Sequence, residues 1–198
     1  ISEELPCDVK ASYTCFWDIS TKFRKVVEDT GNVLSAACSI AKELPTENKC
    51  ESLYMGCMDE EKNQFLTMES GYASLLNITA NNRTCTSGGY QRGCDDSSGM
   101  KNCTETGIEA AFSTFEEQVY SKQRSAARFR NCFLDTVADC YSIQNVGRAL
   151  RMLRVVNAIV DINSPLNFTL NSDSSSKNTV DTLAISIISF MWLTLSFT

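Results

Sequence analysis

The chain has 198 residues, with ten cysteines, no histidine and a formal net charge of −6. Without histidine, neither Ser-His-Asp nor Cys-His catalysis is available, and zinc has no imidazole ligand. The acidic balance opposes general nucleic-acid binding, which needs a cationic surface. A hydrophobic fraction of 43% is too high for a disordered chain, so the length predicts a folded domain with a sizeable core.

Helical periodicity dominates the first 76 residues, where apolar side chains recur at spacings of three and four. The predicted helical segments are Cys15–Asp29, Val33–Leu44, Cys50–Met58 and Asp59–Leu76. Thr30-Gly31-Asn32 and Pro45 separate the first three of them. Thr46 or Asn48 is the expected N-cap of the third.

The periodicity breaks from Asn77 to Thr104, a stretch with four glycines, three cysteines and few apolar residues. We expect a long, disulfide-stapled loop here. Helical patterns return over Ile108–Val119, Ala126–Tyr141 and Val146–Ile162, and Asn163-Ser164-Pro165 ends the last of them. Because strand signals are poor, the predicted fold class is all-α, a stapled bundle of about six helices with a long Cys/Gly-rich glycosylated loop.

The cysteines are even in number and contain no CxxC pair, which favours structural disulfides formed in an oxidising compartment. Two pairs are eight residues apart, Cys7 with Cys15 and Cys132 with Cys140. Eight helical residues rise about 12 Å, too far for a disulfide, so each cysteine must reach another element. The pairing itself stays open. The predicted disulfide cysteines are Cys7, Cys15, Cys38, Cys50, Cys57, Cys85, Cys94, Cys103, Cys132 and Cys140.

Four N-x-[ST] sequons predict N-glycosylation in the secretory pathway. The acceptor residues are Asn77, Asn82, Asn102 and Asn167. The first three flank the cysteine-rich stretch, so sugars there would exclude a partner from it. A sugar on Asn167 would protect the segment that follows the domain.

The last sixteen residues, Leu183–Thr198, carry no charge and follow a small, polar stretch. This order is typical of a glycosylphosphatidylinositol attachment signal. Ser172 is the expected attachment residue, and Asn171, Asp173 and Ser174 are close competitors. The alternative, a single-pass helix, usually needs about 20 apolar residues and cytoplasmic Lys or Arg after them.

The anchor signal divides the chain into three predicted regions. Residues 1–165 form the ectodomain, 166–182 the polar stalk with the attachment site, and 183–198 a hydrophobic tail that is removed. The predicted location is the outer leaflet of the plasma membrane. Since the chain begins with Ile1 rather than Met, we expect that a signal peptide has been removed or left out.

Positive charge is concentrated between Lys122 and Arg154, where seven bases face only two acids, Asp135 and Asp139. Arg148, Arg151 and Arg154 are spaced by three and would share a helical face about 120° wide. Guanidinium groups pair with carboxylates, sulfates and phosphates. We predict an anion or partner contact at these three. The alternative is that they are merely solvated or pair with the acidic N-terminal half.

The carboxylate clusters carry no predicted chemistry. Asp59-Glu60-Glu61, Asp95-Asp96 and Glu116-Glu117 are typical of solvated surfaces rather than of a glycosidase pair. Asp95-Asp96-Ser97-Ser98-Gly99 lacks the ligand spacing of an EF-hand. We therefore predict no catalytic residue, no metal site and no cofactor.

A cysteine-rich, all-helical, lipid-anchored ectodomain broadly resembles, in architecture, the co-receptor class that includes the glial-derived neurotrophic factor receptor alpha family. We predict a non-enzymatic binding, adhesion or co-receptor-like module. Its partner would be an extracellular protein, a glycan or a transmembrane co-receptor, with membrane contact through the anchor and no nucleic acid. The alternatives are a carrier of a small apolar ligand in a helical cavity and a surface coat protein.

Overall fold

Seven α-helices and one short 3-10 helix make up the regular structure of the computed structural model, which describes residues 5–45, 48–80, 85, 97–105, 114–137 and 146–166. No strand occurs in these ranges, so the all-α prediction is confirmed. The helices are α1 Val9–Thr30, α2 Val33–Glu43, the 3-10 helix Glu51–Leu53, α3 Asp59–Asn63, α4 Leu66–Ala80, α5 Ser97–Glu105, α6 Phe115–Thr136 and α7 Val146–Ile162.

Side-chain caps define the α1–α2 hairpin. The Asp8 carboxylate accepts a hydrogen bond from the Ala11 N–H at 2.8 Å and begins α1. Gly31, at φ 65°, ends α1 in the left-handed conformation that glycine adopts most readily. Asn32 then caps α2, its side chain accepting from the Ser35 N–H at 2.9 Å. The helix end predicted at Thr30-Gly31-Asn32 thus consists of the C-cap of α1 followed directly by the N-cap of α2.

Two helical predictions were wrong in detail. Residues 50–58 form the short 3-10 helix and turns rather than a longer helix, because the chain must bring Cys50 and Cys57 to two bridges. The Asn48 side chain accepts from the Cys50 N–H at 3.0 Å, while Thr46 lies outside the described residues. The segment predicted as Asp59–Leu76 is divided into α3 and α4.

The predicted break between two helices after Val119 is also wrong, since α6 runs without interruption. The polar stretch 120–125 suggested the break, but Gln123 is buried within it and continues the inward face between Val119 and Ala126. Thr114 caps the start by accepting from the Glu117 N–H at 3.2 Å. By contrast, α7 begins and ends where it was predicted.

The predicted loop from Asn77 to Thr104 is helical at both ends. Helix α4 continues to Ala80, where the buried Thr79 hydroxyl donates to the Leu75 carbonyl at 2.8 Å. At the other end, Met100 and Cys103 of α5 are buried at helical spacing. Positions 81–84 and 86–96 lie outside the described residues.

Helix α7 is the central element of the core and packs against α1, α2, α4 and α6. Its closest approach is to α4 at Gly71. A Cβ atom placed there would lie 2.6 Å from the Ala158 carbonyl oxygen and 2.8 Å from the Ile162 nitrogen. The two backbones therefore touch, which only glycine permits. At the end of α7, the buried Asn163 side chain accepts from the Ser20 hydroxyl at 3.0 Å.

Four disulfides join the helices. The pairs are Cys7–Cys57, Cys15–Cys50, Cys38–Cys85 and Cys103–Cys132. None closes two cysteines of one helix, as the spacing argument predicted. Cys94 and Cys140 lie outside the described residues.

Candidate binding surface

One end of the bundle is closed by two nested disulfides, and we call it the clasp end. Cys7–Cys57 and Cys15–Cys50 tie the start of α1 to the 3-10 helix and its flanking turns. The Asp8 N–H donates to the Leu53 carbonyl at 2.7 Å, and the Gly56 N–H donates to the Pro6 carbonyl at 2.9 Å. Bridges and backbone hydrogen bonds thus hold the N-terminal segment.

Aromatic rings fill the interior behind the clasp. Phe65 stacks on Tyr54 with centroids 4.5 Å apart and lies 5.1 Å from the Tyr13 ring. Phe115, at the start of α6, meets Tyr13 edge-on at 5.4 Å and Trp17 at 5.7 Å. Such pairs add to the stabilisation that burial gives, so this end of the bundle is rigid.

The buried tyrosines act as hydrogen-bond donors. Tyr13 donates to the Gln64 side chain at 2.8 Å, and Tyr54 donates to the Glu69 carboxylate. Burial raises the pKa of Tyr13, and burial together with the Glu69 hydrogen bond raises the pKa of Tyr54. Both phenols stay protonated at neutral pH and hold α1 and the 3-10 helix region to α4. Their role is structural.

Leu166, the last described residue, lies near the clasp end. The Leu166 N–H donates to the Gln64 carbonyl at 2.9 Å, and Gln64 is the residue that Tyr13 holds. In the described residues, no helix combines the length and the apolar character needed to cross a bilayer. The predicted tail 183–198 and the predicted attachment residues Ser172, Asn171, Asp173 and Ser174 lie outside these residues.

The six arginines of the cationic window divide into two groups. Arg130 and Arg148 are half-buried, and the other four are exposed. Arg148 is thus less accessible than Arg151 and Arg154, and the anion or partner contact predicted at these three residues stays a prediction. Three residues spaced by three span about 120°, and Arg148 falls at the edge where α7 turns toward the core.

Arg130 belongs to the contact between α6 and α7. Its Nε donates to the Asn157 side chain at 2.9 Å. Burial raises the pKa of the Asp161 carboxyl, and the positive charge of Arg130 partly offsets that effect. Arg130 thus joins two helices and compensates a half-buried acid, so we do not count it as part of a binding surface.

The four exposed arginines form what we call the arginine surface, Arg124 and Arg128 on α6 with Arg151 and Arg154 on α7. None of their guanidinium groups lies within ion-pair distance of a carboxylate in the described part of the chain, where Lys22–Glu43 is the ion pair found. Arg124 and Arg128 were not part of the predicted contact, although their spacing of four places both on one helical face. No pair between these arginines and an acid of the N-terminal half occurs among the described residues.

The arginine surface lies toward the end of the bundle opposite the clasp. Arg151 precedes Ile162 by eleven residues, or roughly 16 Å along α7. Helix α6 starts at the clasp end with Phe115, and Arg128 lies roughly 20 Å further along its axis. Arg124 and Arg154 lie near the middle of their helices, so the arginine surface extends from the middle of the bundle away from Leu166.

Two predicted glycosylation sites are in the described residues. Asn77 in α4 and Asn102 in α5 are both exposed, so both can carry a sugar. Neither lies on α6 or α7, although Asn102 is next to Cys103, which is bonded to Cys132 of α6. Asn82 and Asn167 lie outside the described residues.

In the described part of the chain, one cluster brings possible metal-ligand atoms together, and it offers no usable ligand set. The sulfurs of Cys7 and Cys57 lie within 4.8 Å of a Glu61 oxygen, but the two sulfurs are bonded to each other and supply no thiolate. Of the loop considered for calcium, Ser97–Gly99 is part of α5, and Asp95 and Asp96 lie outside the described residues.

A hollow of about 480 Å³ follows the N-terminal half of α1 and is open to solvent. Five of its six lining residues are polar or a bridged cysteine, namely Asp8, Lys10, Thr14, Cys15 and Asp18. It does not enclose an apolar ligand. No family model, no curated protein and no solved structure matches this chain.

Proposed function

We propose that this chain is a non-enzymatic, N-glycosylated extracellular binding module, held on the outer leaflet of the plasma membrane by a glycolipid anchor. It engages an anionic partner through the arginine surface. The observation that carries the proposal is the set of four exposed guanidinium groups without a carboxylate partner in the described residues. The disulfides support an oxidising, extracellular setting.

The chemistry of arginine defines the partner class. A guanidinium group offers five donors in a planar fork that matches carboxylate and sulfate oxygens. The partner is therefore an acidic extracellular protein, including the outer part of a transmembrane co-receptor, or a sulfated glycan. The net charge of −6 for the whole chain makes it a poor ligand for nucleic acid.

The two alternative functions have less support. A carrier needs an enclosed apolar cavity, and the hollow beside α1 is open to solvent. A coat protein without a ligand would have sugars on every side. No sequon residue falls on α6 or α7, so neither helix of the arginine surface carries a sugar of its own.

Reversing the charge of the arginine surface tests the proposal. We expect Arg151→Glu/Arg154→Glu to weaken partner binding at least about tenfold, because like charges facing each other across an interface cost several kcal/mol. The readouts are elution salt from an immobilised sulfated glycan and cell-surface proximity labelling with the full chain on cells. A loss in the first readout identifies a glycan, and a loss of labelled acidic proteins identifies a protein.

The matched control is Lys10→Glu/Lys49→Glu, which changes the net charge equally. Lys10 and Lys49 are exposed and near the clasp end. This variant should bind as the unchanged protein does. Equal loss in both double variants would show a general charge effect, and no loss in either would contradict the proposed role of the arginine surface.

A further inference from the structure

Large apolar side chains are exposed at six described positions, and five of these belong to the clasp end. The five are Leu5, Met55, Met58, Leu66 and Leu166, with exposed fractions of 42% to 70%. We call them the apolar rim. The sixth, Leu150, is 47% exposed and lies on α7 beside the arginine surface. Single exposed apolar residues need no explanation, but a group at one end of a molecule does.

Backbone contacts and short chain segments connect the members of the rim. Leu5 lies against the turn after the 3-10 helix, because a Cβ atom on Gly56 would overlap the Leu5 carbonyl. Met55 and Met58 flank that same turn, and α3 leads from Met58 to Leu66. The hydrogen bond from Leu166 to Gln64 brings the last described residue to the start of α4. The rim residues are therefore connected to one another and to Leu166 at this end of the bundle.

The length of the stalk limits how far the apolar rim can lie from the proposed membrane anchor. Leu166 precedes Ser172 by six residues, and six extended residues span at most about 20 Å. On the proposed anchor, the clasp end is therefore held close to the outer leaflet, whereas the arginine surface lies further along the bundle. A lipid surface is the one partner that is always present within that reach.

We propose that the apolar rim inserts into the interfacial region of the outer leaflet and orients the domain with the arginine surface facing away from the membrane. This inference depends on the proposed lipid anchor. Exposed Leu and Met side chains on a rigid support suit shallow insertion. The neighbouring acids Glu51, Asp59 and Glu60 are exposed, so the rim fits zwitterionic phosphatidylcholine rather than anionic lipid.

Tryptophan fluorescence in vesicles tests the orientation. The full chain, purified with its anchor, carries Met58→Trp and is reconstituted into phosphatidylcholine vesicles whose acyl chains are brominated near the headgroup. Trp17 is buried and gives a constant background. We expect the indole introduced by Met58→Trp to lose about half of its emission or more, as for side chains that reach the acyl boundary. Leu66→Trp provides a second reporter on the rim.

The matched control is Leu150→Trp, at the exposed apolar residue beside the arginine surface. Its emission should stay unchanged by the brominated lipid, and adding phosphatidylserine should not increase quenching at the rim. Equal quenching at positions 58 and 150, or none at 58 and 66, would overturn the inference. So would quenching that appears only after Asn167→Gln, since a sugar would then hold the native rim off the membrane.

The same experiment separates this inference from the anchor. Protein that fails to float with the vesicles refutes the lipid anchor itself. Protein that floats but whose rim indoles are unquenched refutes only the docking of the rim. A stable dimer in light scattering, with the reporters shielded from brominated lipid and from a water-soluble quencher alike, would assign the rim to a second copy and also overturn the inference.

Discussion

Gly71→Ala should lower the free energy of unfolding by about 2–3 kcal/mol, the range expected for overpacking a tight contact. A Cβ atom at this position would lie 2.6 to 2.9 Å from atoms of Ala158, Ile162 and Asp161. The first two are backbone atoms, which cannot rotate away, so α4 and α7 would have to separate. Chemical denaturation of the glycosylated protein purified from cells measures the loss.

Gly147→Ala is the matched control for this substitution. Gly147 is exposed near the start of α7, and its nearest neighbour would be the flexible end of Arg151 at 3.9 Å. Alanine restricts the unfolded chain more than glycine does, and it also favours the helix. We therefore expect the free energy of unfolding to rise by about 0.5 kcal/mol. Equal effects of the two substitutions would contradict the close approach of α4 and α7.

Removing both clasp disulfides should cost about 7 kcal/mol, more than the two single-pair losses together. With Cys7–Cys57 intact, Cys15 and Cys50 are already linked through eight residues on one side and seven on the other. The second bridge then closes a loop of about 15 residues, worth about 3 kcal/mol, while a first bridge alone closes a longer loop and is worth about 4 kcal/mol. Since domains are stable by about 5–15 kcal/mol, the variant without both bridges should be poorly secreted.

Paired cysteine-to-alanine variants measure this coupling without leaving free thiols. The Cys7/Cys57 and Cys15/Cys50 pairs are removed singly and together, and unfolding is followed in denaturant. The Cys103–Cys132 bridge is the control, because it joins α5 to α6 and its removal should add to that of either clasp bridge. If the loss of unfolding free energy in the variant without both clasp bridges equalled the sum of the two single-pair losses, the nested arrangement would be contradicted.

Local sequence signals were sufficient to predict a helix where the apolar periodicity and the helix-ending residues agreed. Helix α7 matched its predicted bounds because an apolar stripe ran up to Asn163-Ser164-Pro165. The sequence could not show that Gln123 is buried inside α6, because a buried glutamine depends on the helices around it. Nor could it reveal α5, whose buried residues among those described are Met100 and Cys103, a cysteine whose partner, Cys132, was unknown.

For the candidate surface too, the sequence located residues but could not show their tertiary surroundings. Composition located the arginines, but their exposure depends on which side of α7 meets the core, so Arg148 could not be told from Arg151 by spacing. The apolar rim was not predicted at all. Leu5, Met58 and Leu166 are far apart in the sequence, and only the clasp bridges and the Leu166–Gln64 hydrogen bond bring them to one end.

Release by phosphatidylinositol-specific phospholipase C tests the central claim most directly. A glycolipid-anchored chain should leave the cell surface on treatment, and mass spectrometry should place its C-terminus at Ser172 or at one of its neighbours Asn171, Asp173 and Ser174, with the anchor remnant attached. Protein that stays on the cells and still contains peptides from Leu183–Thr198 would contradict the account.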